Sequence, residues 1–144
     1  MKNRFKFRIY DKKRNVMLTE DNCYEESDNY IYEELWGSAI GFVIDCITDF
    51  LELYNKDNRF VLMQCTGLKD KNGKLIYEGD ILKVKGKQTD ETTGFVEYEE
   101  DFAGFQLNVN SNNIYMGFDY LPENEREIIG NIYENPDLIG GKKQ

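Results

Sequence analysis

The chain has 144 residues, a size that suits one domain or one domain with a small appendage, and it can bury roughly 70% of its unfolded surface without disulfide staples. Aromatics make up 14% of it, hydrophobic residues 40% and prolines only two, which excludes a disordered chain and favours strands. The net charge of −9 works against general binding to a phosphate backbone, and the absence of histidine removes the usual general base and the commonest metal ligand.

The charge is unevenly spread. Positions 1–14 carry +6, positions 15–60 carry −9, positions 61–89 carry +3 and positions 90–144 carry −9. A local basic face built from the N-terminus and residues 69–87 is therefore compatible with an acidic whole. Cys23, Cys46 and Cys65 are odd in number, far apart and without a CxxC pair. They read as reduced, buried thiols, and neither a disulfide scaffold nor a metal site is expected. Met1-Lys2-Asn3-Arg4 leads into an alternating segment instead of an apolar run, and the longest apolar stretch, residues 39–47, is broken by Gly41 and Asp45. No leader and no membrane span are expected, and the predicted location is the cytoplasm.

Residues 2–10 alternate. Phe5, Phe7 and Ile9 share one face, and Arg4, Lys6, Arg8 and Tyr10 share the other, which predicts a half-buried strand whose basic face is wet. The same basic side chains are the candidates for a phosphate-binding stripe. Residues 11–15 form a polar turn and residues 16–18 a return strand. Residues 20–34 are acidic and rich in tyrosine, which predicts a solvated loop with a short strand at 30–32; the sharper reading is an acidic surface that imitates nucleic acid. In residues 45–54, Ile47, Phe50, Leu51 and Tyr54 make one apolar stripe, the pattern of a short amphipathic helix.

The stretch 62–84 organises the rest. It reads as three apolar runs separated by turns at Asn72-Gly73 and at Glu78-Gly79-Asp80. Asn-Gly predicts a two-residue type I′ hairpin turn, with positive φ at both positions. Strands are then expected at 59–64, 94–99, 104–109 and 128–133, with Gly130 as a bend or bulge. Residues 88–93 and 108–113 read as loops, 114–120 as extended, and 140–144 as a frayed tail. Short strands separated by frequent turns argue for a small barrel or sandwich. The expected division is an N-terminal hairpin and helix appendage at 1–58, a barrel region at 59–139 and a disordered tail at 140–144, all in one compact unit.

Chemistry is harder to find. Asp70 and Asp80 flank the hairpin, and a carboxylate pair suits Mg²⁺ or acid–base work. The competing reading is that each caps its own turn. Asp70-Lys71-Asn72-Gly73 is not a calcium loop, because the Gly comes at the fourth position and Ile81 stands where the closing Glu belongs. Tyr77, Phe95, Tyr98, Phe105, Tyr115 and Phe118 are the candidates for an exposed aromatic surface that binds peptides or single strands, set against filling of the core.

Three segments carry a family resemblance: KFRIYDKKRNVML at the start, LMQCTGLKDKNGKLIYEGDIL in the centre and IIGNIYENPDLI at the end. In this order they resemble the YopX family of phage and prophage proteins, over residues 4–139. Cys65 stands where the family pattern leads one to expect an aromatic residue. The resemblance implies a mainly-β fold with an SH3-like barrel in the C-terminal part and an origin in a phage or prophage genome. It implies no activity and assigns no catalytic, cofactor-binding or metal residue. Gly67, Gly73, Gly79 and Gly130 are then turn chemistry.

The expected function is that of a non-enzymatic accessory protein that binds a host or phage protein, with self-association through a sheet edge as a second mode. A nucleic-acid-binding barrel using Arg4, Lys6, Arg8 and the Lys69–Lys87 cluster is the alternative, disfavoured by net charge. A metal enzyme built on Asp70 and Asp80 comes last. No cofactor is expected.

Overall fold

In the computed structural model of the chain, residues 6–19, 58–85, 90–109 and 114–140 are described. The expected acidic loop at 20–34, the helix at 45–54, Arg4, Phe5, Cys23 and Cys46 lie outside them. The described chain is mainly β, with nine strands in antiparallel sheets and short 3₁₀ turns between them. None of its described helices is long and apolar enough to cross a membrane. It divides into two compact units, residues 7–63 and residues 1–6 with 64–144.

In the smaller unit, β1 (Phe7–Asp11) and β2 (Val16–Leu18) form the N-terminal hairpin, with Ile9 facing Leu18 and Asp11 facing Val16. Asn15 takes positive φ in the turn. Ile9, Tyr10, Leu18, Phe60 and Met63 are buried. The expected wet face is only partly present. Lys6 is exposed and Arg8 half-buried, but Tyr10 is buried, and Asp11, expected in the polar turn, is instead the buried last residue of β1. The Asp11 carboxylate is claimed by Arg59: Nε donates to Oδ1 at 2.8 Å and Nη2 to Oδ2 at 2.6 Å. A forked guanidinium satisfies both oxygens of a buried carboxylate in one plane. The Lys13 amide adds a bond to Oδ1 at 2.9 Å.

In the larger unit, β3 (Phe60–Lys69), which begins in the smaller one, pairs with β4 (Leu75–Tyr77) across a register shift. The turn between them differs from the expected type I′. Gly73 has φ +80°, whereas Asn72 is not in the positive-φ region. The Gly73 amide donates to the Asp70 carbonyl at 2.9 Å and the Asp70 amide to the Lys74 carbonyl at 2.9 Å. This is a three-residue loop: a type I turn at Lys71-Asn72 followed by a left-handed glycine. Asp70 selects it, since its Oδ1 accepts from the amides of Asn72 and Lys74, each at 2.9 Å.

The remaining strands are β5 (Asp80–Lys85), β6 (Glu91–Glu99), β7 (Gly104–Val109), β8 (Ile114–Gly117) and β9 (Arg126–Asn131). They form one sheet in the order β8-β7-β6-β5-β9, curled into a half-barrel. β6 begins earlier than expected because Lys83 faces Thr93 and Lys85 faces Glu91, which pulls polar residues into the ladder. The bulge expected at Gly130 is present: Ile81 faces Gly130 but Leu82 faces Ile128. Such an extra residue bends the strand and sharpens its twist. The concave face carries the core, with Leu82, Val84, Val96, Leu107 and Val109 packed with Ile76 and Leu121.

Two outcomes follow for stability. Asp70→Asn places an amide NH₂ or loses an acceptor where backbone N–H groups converge, so denaturant unfolding at neutral pH is expected to show a loss of about 1–3 kcal/mol. Gly94→Ala drives a methyl group into the Asn108 carbonyl oxygen, 2.5 Å away, and Leu107. That contact is backbone on one side, and the same measurement is expected to show a loss of about 1–3 kcal/mol.

Candidate functional site

Asp70 and Asp80 are both buried, and each serves its own turn. Besides the two amides on Oδ1, Asp70 accepts from the Ile128 amide on Oδ2 at 3.2 Å. Burial works against its charge, but the N–H bonds from Lys74, Ile128 and Asn72 outweigh it and hold the carboxyl below the usual carboxylate range. Asp80 accepts from the Tyr77 amide at 2.8 Å, closing the turn at Glu78-Gly79. Oxygens already committed to converging N–H donors are poor metal ligands, so the turn-capping reading accounts for both residues.

Lys87 of the expected basic cluster lies outside the described residues, and the part at 69–85 is interleaved with acids. Lys71 pairs with Glu127 at 2.6 Å and Lys83 with Glu91 at 2.7 Å. The Lys83 pKa is raised, chiefly by its bond to Glu91. Arg126, buried, spends its guanidinium on backbone: Nε donates to the Lys69 carbonyl at 2.7 Å and Nη1 to the Leu121 carbonyl at 3.0 Å. It also lies over the Phe118 ring, 5.6 Å from the centroid. These residues do not form a continuous basic stripe.

The aromatic candidates separate. Phe105 and Phe118 pack against the core from its edge, and Tyr77, Phe95 and Tyr115 are half-buried. Tyr98 is 49% exposed and meets Phe105, its cross-strand partner, edge to face at 5.5 Å. Two further exposed rings were not legible as site residues: Phe102 at 66% and Tyr120 at 68%. Phe102 lies in the 3₁₀ turn Glu100–Phe102, which joins β6 to β7 just beyond the last pair, Glu99 and Gly104. Tyr120 ends the 3₁₀ turn Phe118–Tyr120, which packs on β7 and follows the pair Gly117 and Gln106. The register thus brings Tyr98, Phe102 and Tyr120 to the same end of the half-barrel, among Glu99, Glu100, Asp101 and Asp119.

On the convex face of the same strands, Glu97 accepts from Asn108 Nδ2 at 2.8 Å. The Tyr115 hydroxyl reaches both Glu97 and Glu99. Its bond to Glu97, then desolvation, the bond to Glu99 and the two charges push the phenol up to about 12. Asn108 is buried, and among the described residues its Oδ1 has no hydrogen-bond partner. Elsewhere, the Cys65 sulfur is buried, is in no disulfide, and accepts from the Gly67 amide at 3.4 Å. Replacing Glu97 and Glu99 with Gln is expected to return Tyr115 toward the ordinary tyrosine range, followed by the NMR shifts of its ring through an alkaline titration.

Against known proteins, the family model described as YopX protein matches residues 6–140. No curated protein matches the chain. Among solved structures, the crystal structure of protein EF1440 from Enterococcus faecalis is similar, with a TM-score of 0.50 and 22% identity, covering 93% of this chain and 96% of that one. At that identity the likeness speaks for the fold. Since the family model spans nearly the whole sequence, including the hairpin, the Asp70 turn and the bulged last strand, the chain belongs to the YopX protein family.

Proposed function

We propose that this protein is a non-enzymatic binding module that acts by holding another protein. The observation that carries the reading is the aromatic end of the half-barrel, where Tyr98, Phe102 and Tyr120 are exposed among four carboxylates. Large rings that expose about half or more of their surface together are unusual on a surface with no partner, and Tyr and Phe are favoured anchors at protein interfaces. The acidic rim selects a partner with basic residues and repels nucleic acid. In the phage or prophage setting that the family resemblance implies, the partner is a host or phage protein in the cytoplasm.

A photo-crosslinking phenylalanine analogue at position 102 tests this in cell extract. One protein is expected to crosslink there, to persist after nuclease treatment, and to be lost when Glu100→Lys and Asp101→Lys are introduced together. Crosslinks equal in pattern to those from a control position at Lys69, or products that vanish with nuclease, would overturn the reading.

A further inference from the structure

The two edges of the half-barrel are treated differently by the chain. At β9, the Asp70 turn seals the edge: the Lys71 amide donates to the Arg126 carbonyl at 2.9 Å and the Ile128 amide donates to Asp70 Oδ2 at 3.2 Å. The same edge is finished by Asn135, whose Oδ1 accepts from the Asn131 amide at 3.2 Å and whose own amide donates back to the Asn131 carbonyl at 2.8 Å. At the other edge, β8 pairs with β7 on one side, and among the described residues no hydrogen bond reaches its outer side. Natural sheets blunt such an edge with charge, proline or a bulge. β8 reads Ile-Tyr-Met-Gly, with none of these, and pairs with β7 in unbroken register.

From this we infer that β8 receives an extended segment of the partner as a further strand, and that the segment alternates basic and apolar residues. The inference rests on the binding-module reading and names the partner's chemistry. Successive side chains of an added strand fall on opposite faces of the sheet. On the concave side they would continue the row of Val96, Leu107 and Met116, which are in register across β6, β7 and β8, and so meet apolar surface. On the convex side they meet Tyr115 and Gly117. Behind Tyr115 lie the carboxylates of Glu97 and Glu99, and the Asp119 carboxylate lies where a side chain on Gly117 would project. A Lys or Arg from the added strand lies across the Tyr115 ring toward these carboxylates, combining ion pairing with a cation–π contact. Charge decides against a second copy of this chain as the occupant: its net charge is −9, and two β8 edges side by side would bring like carboxylates together.

The test is an NMR titration of the full chain with a short synthetic peptide in which Lys alternates with Val. Amide shifts are expected at Ile114–Gly117 and in the Tyr115 ring, with affinity falling as salt is raised. The Glu97→Gln, Glu99→Gln double variant, which keeps the side-chain volumes, is expected to bind about tenfold or more weakly, and a peptide with Glu in place of Lys is expected not to bind. Shifts confined to residues 98–102 and 118–120 would overturn the strand-addition inference and leave the binding-module reading standing. So would β8 shifts that follow protein concentration without peptide, which would make the occupant a second copy. No response to the Lys peptide at millimolar concentration would overturn the inference alone, because the crosslink at position 102 judges the broader reading independently.

Discussion

The larger unit depends on one buried carboxylate. Asp70 accepts from backbone amides on its own turn and on the last strand, so one side chain fixes the β3–β4 hairpin and ties it to residues 58 positions further on. Arg126 answers from the other direction, donating to carbonyls at Lys69 and Leu121 while its own carbonyl accepts from Lys71. Burial disfavours both charges: desolvation is the largest influence on each, and it lowers the Arg126 pKa on balance. The guanidinium nonetheless keeps its proton at any ordinary pH. What makes the arrangement tolerable is that both groups face backbone dipoles of the sign each needs, so neither is left unsatisfied. The smaller unit solves a similar problem more directly, with Asp11 gripped by the fork of Arg59.

The consequence for function lies in what this node covers. The Asp70 turn occupies the edge of β9, whereas among the described residues no hydrogen bond reaches the outer side of β8. The turns that follow β6 and β8 carry the exposed rings to the end of the same strands. The acidic side chains there do not gather in the way a metal would require; among the described residues no cluster of three potential metal ligands occurs. They line a surface. The proposed strand addition at β8 would set an extended basic segment beside these acidic and aromatic side chains, with the backbone supplying affinity and alternate side chains supplying selectivity.

Much of the fold was legible because its signals are local. The glycines at 67, 73 and 79 all take φ near +80°, and β7 occupies Gly104–Val109 as its pattern predicts. The bulge at Gly130 showed as a glycine inside an apolar run. What was not legible came from distance. Nothing near Asp11 signals that Arg59 will bury it, so it reads as the start of a polar turn when it is the last residue of the first strand. Asn72-Gly73 fits two kinds of hairpin turn, and the choice was made by the Asp70 carboxylate. The polar start of β6 reads as loop until Lys83 and Lys85 are known to lie across from it. The site was the least legible part. Phe95 and Phe105 look like surface candidates in sequence, whereas Phe102 and Tyr120 sit among turn residues where periodicity says nothing about exposure.

Amide hydrogen exchange on the full chain tests the central asymmetry most directly. The account predicts that the Lys71 and Ile128 amides, which are hydrogen-bonded between the Asp70 turn and β9, exchange slowly, while the amides of β8 that point away from β7 exchange far faster. Equal protection at the two edges would contradict it, because β8 would then be covered and could not accept a strand.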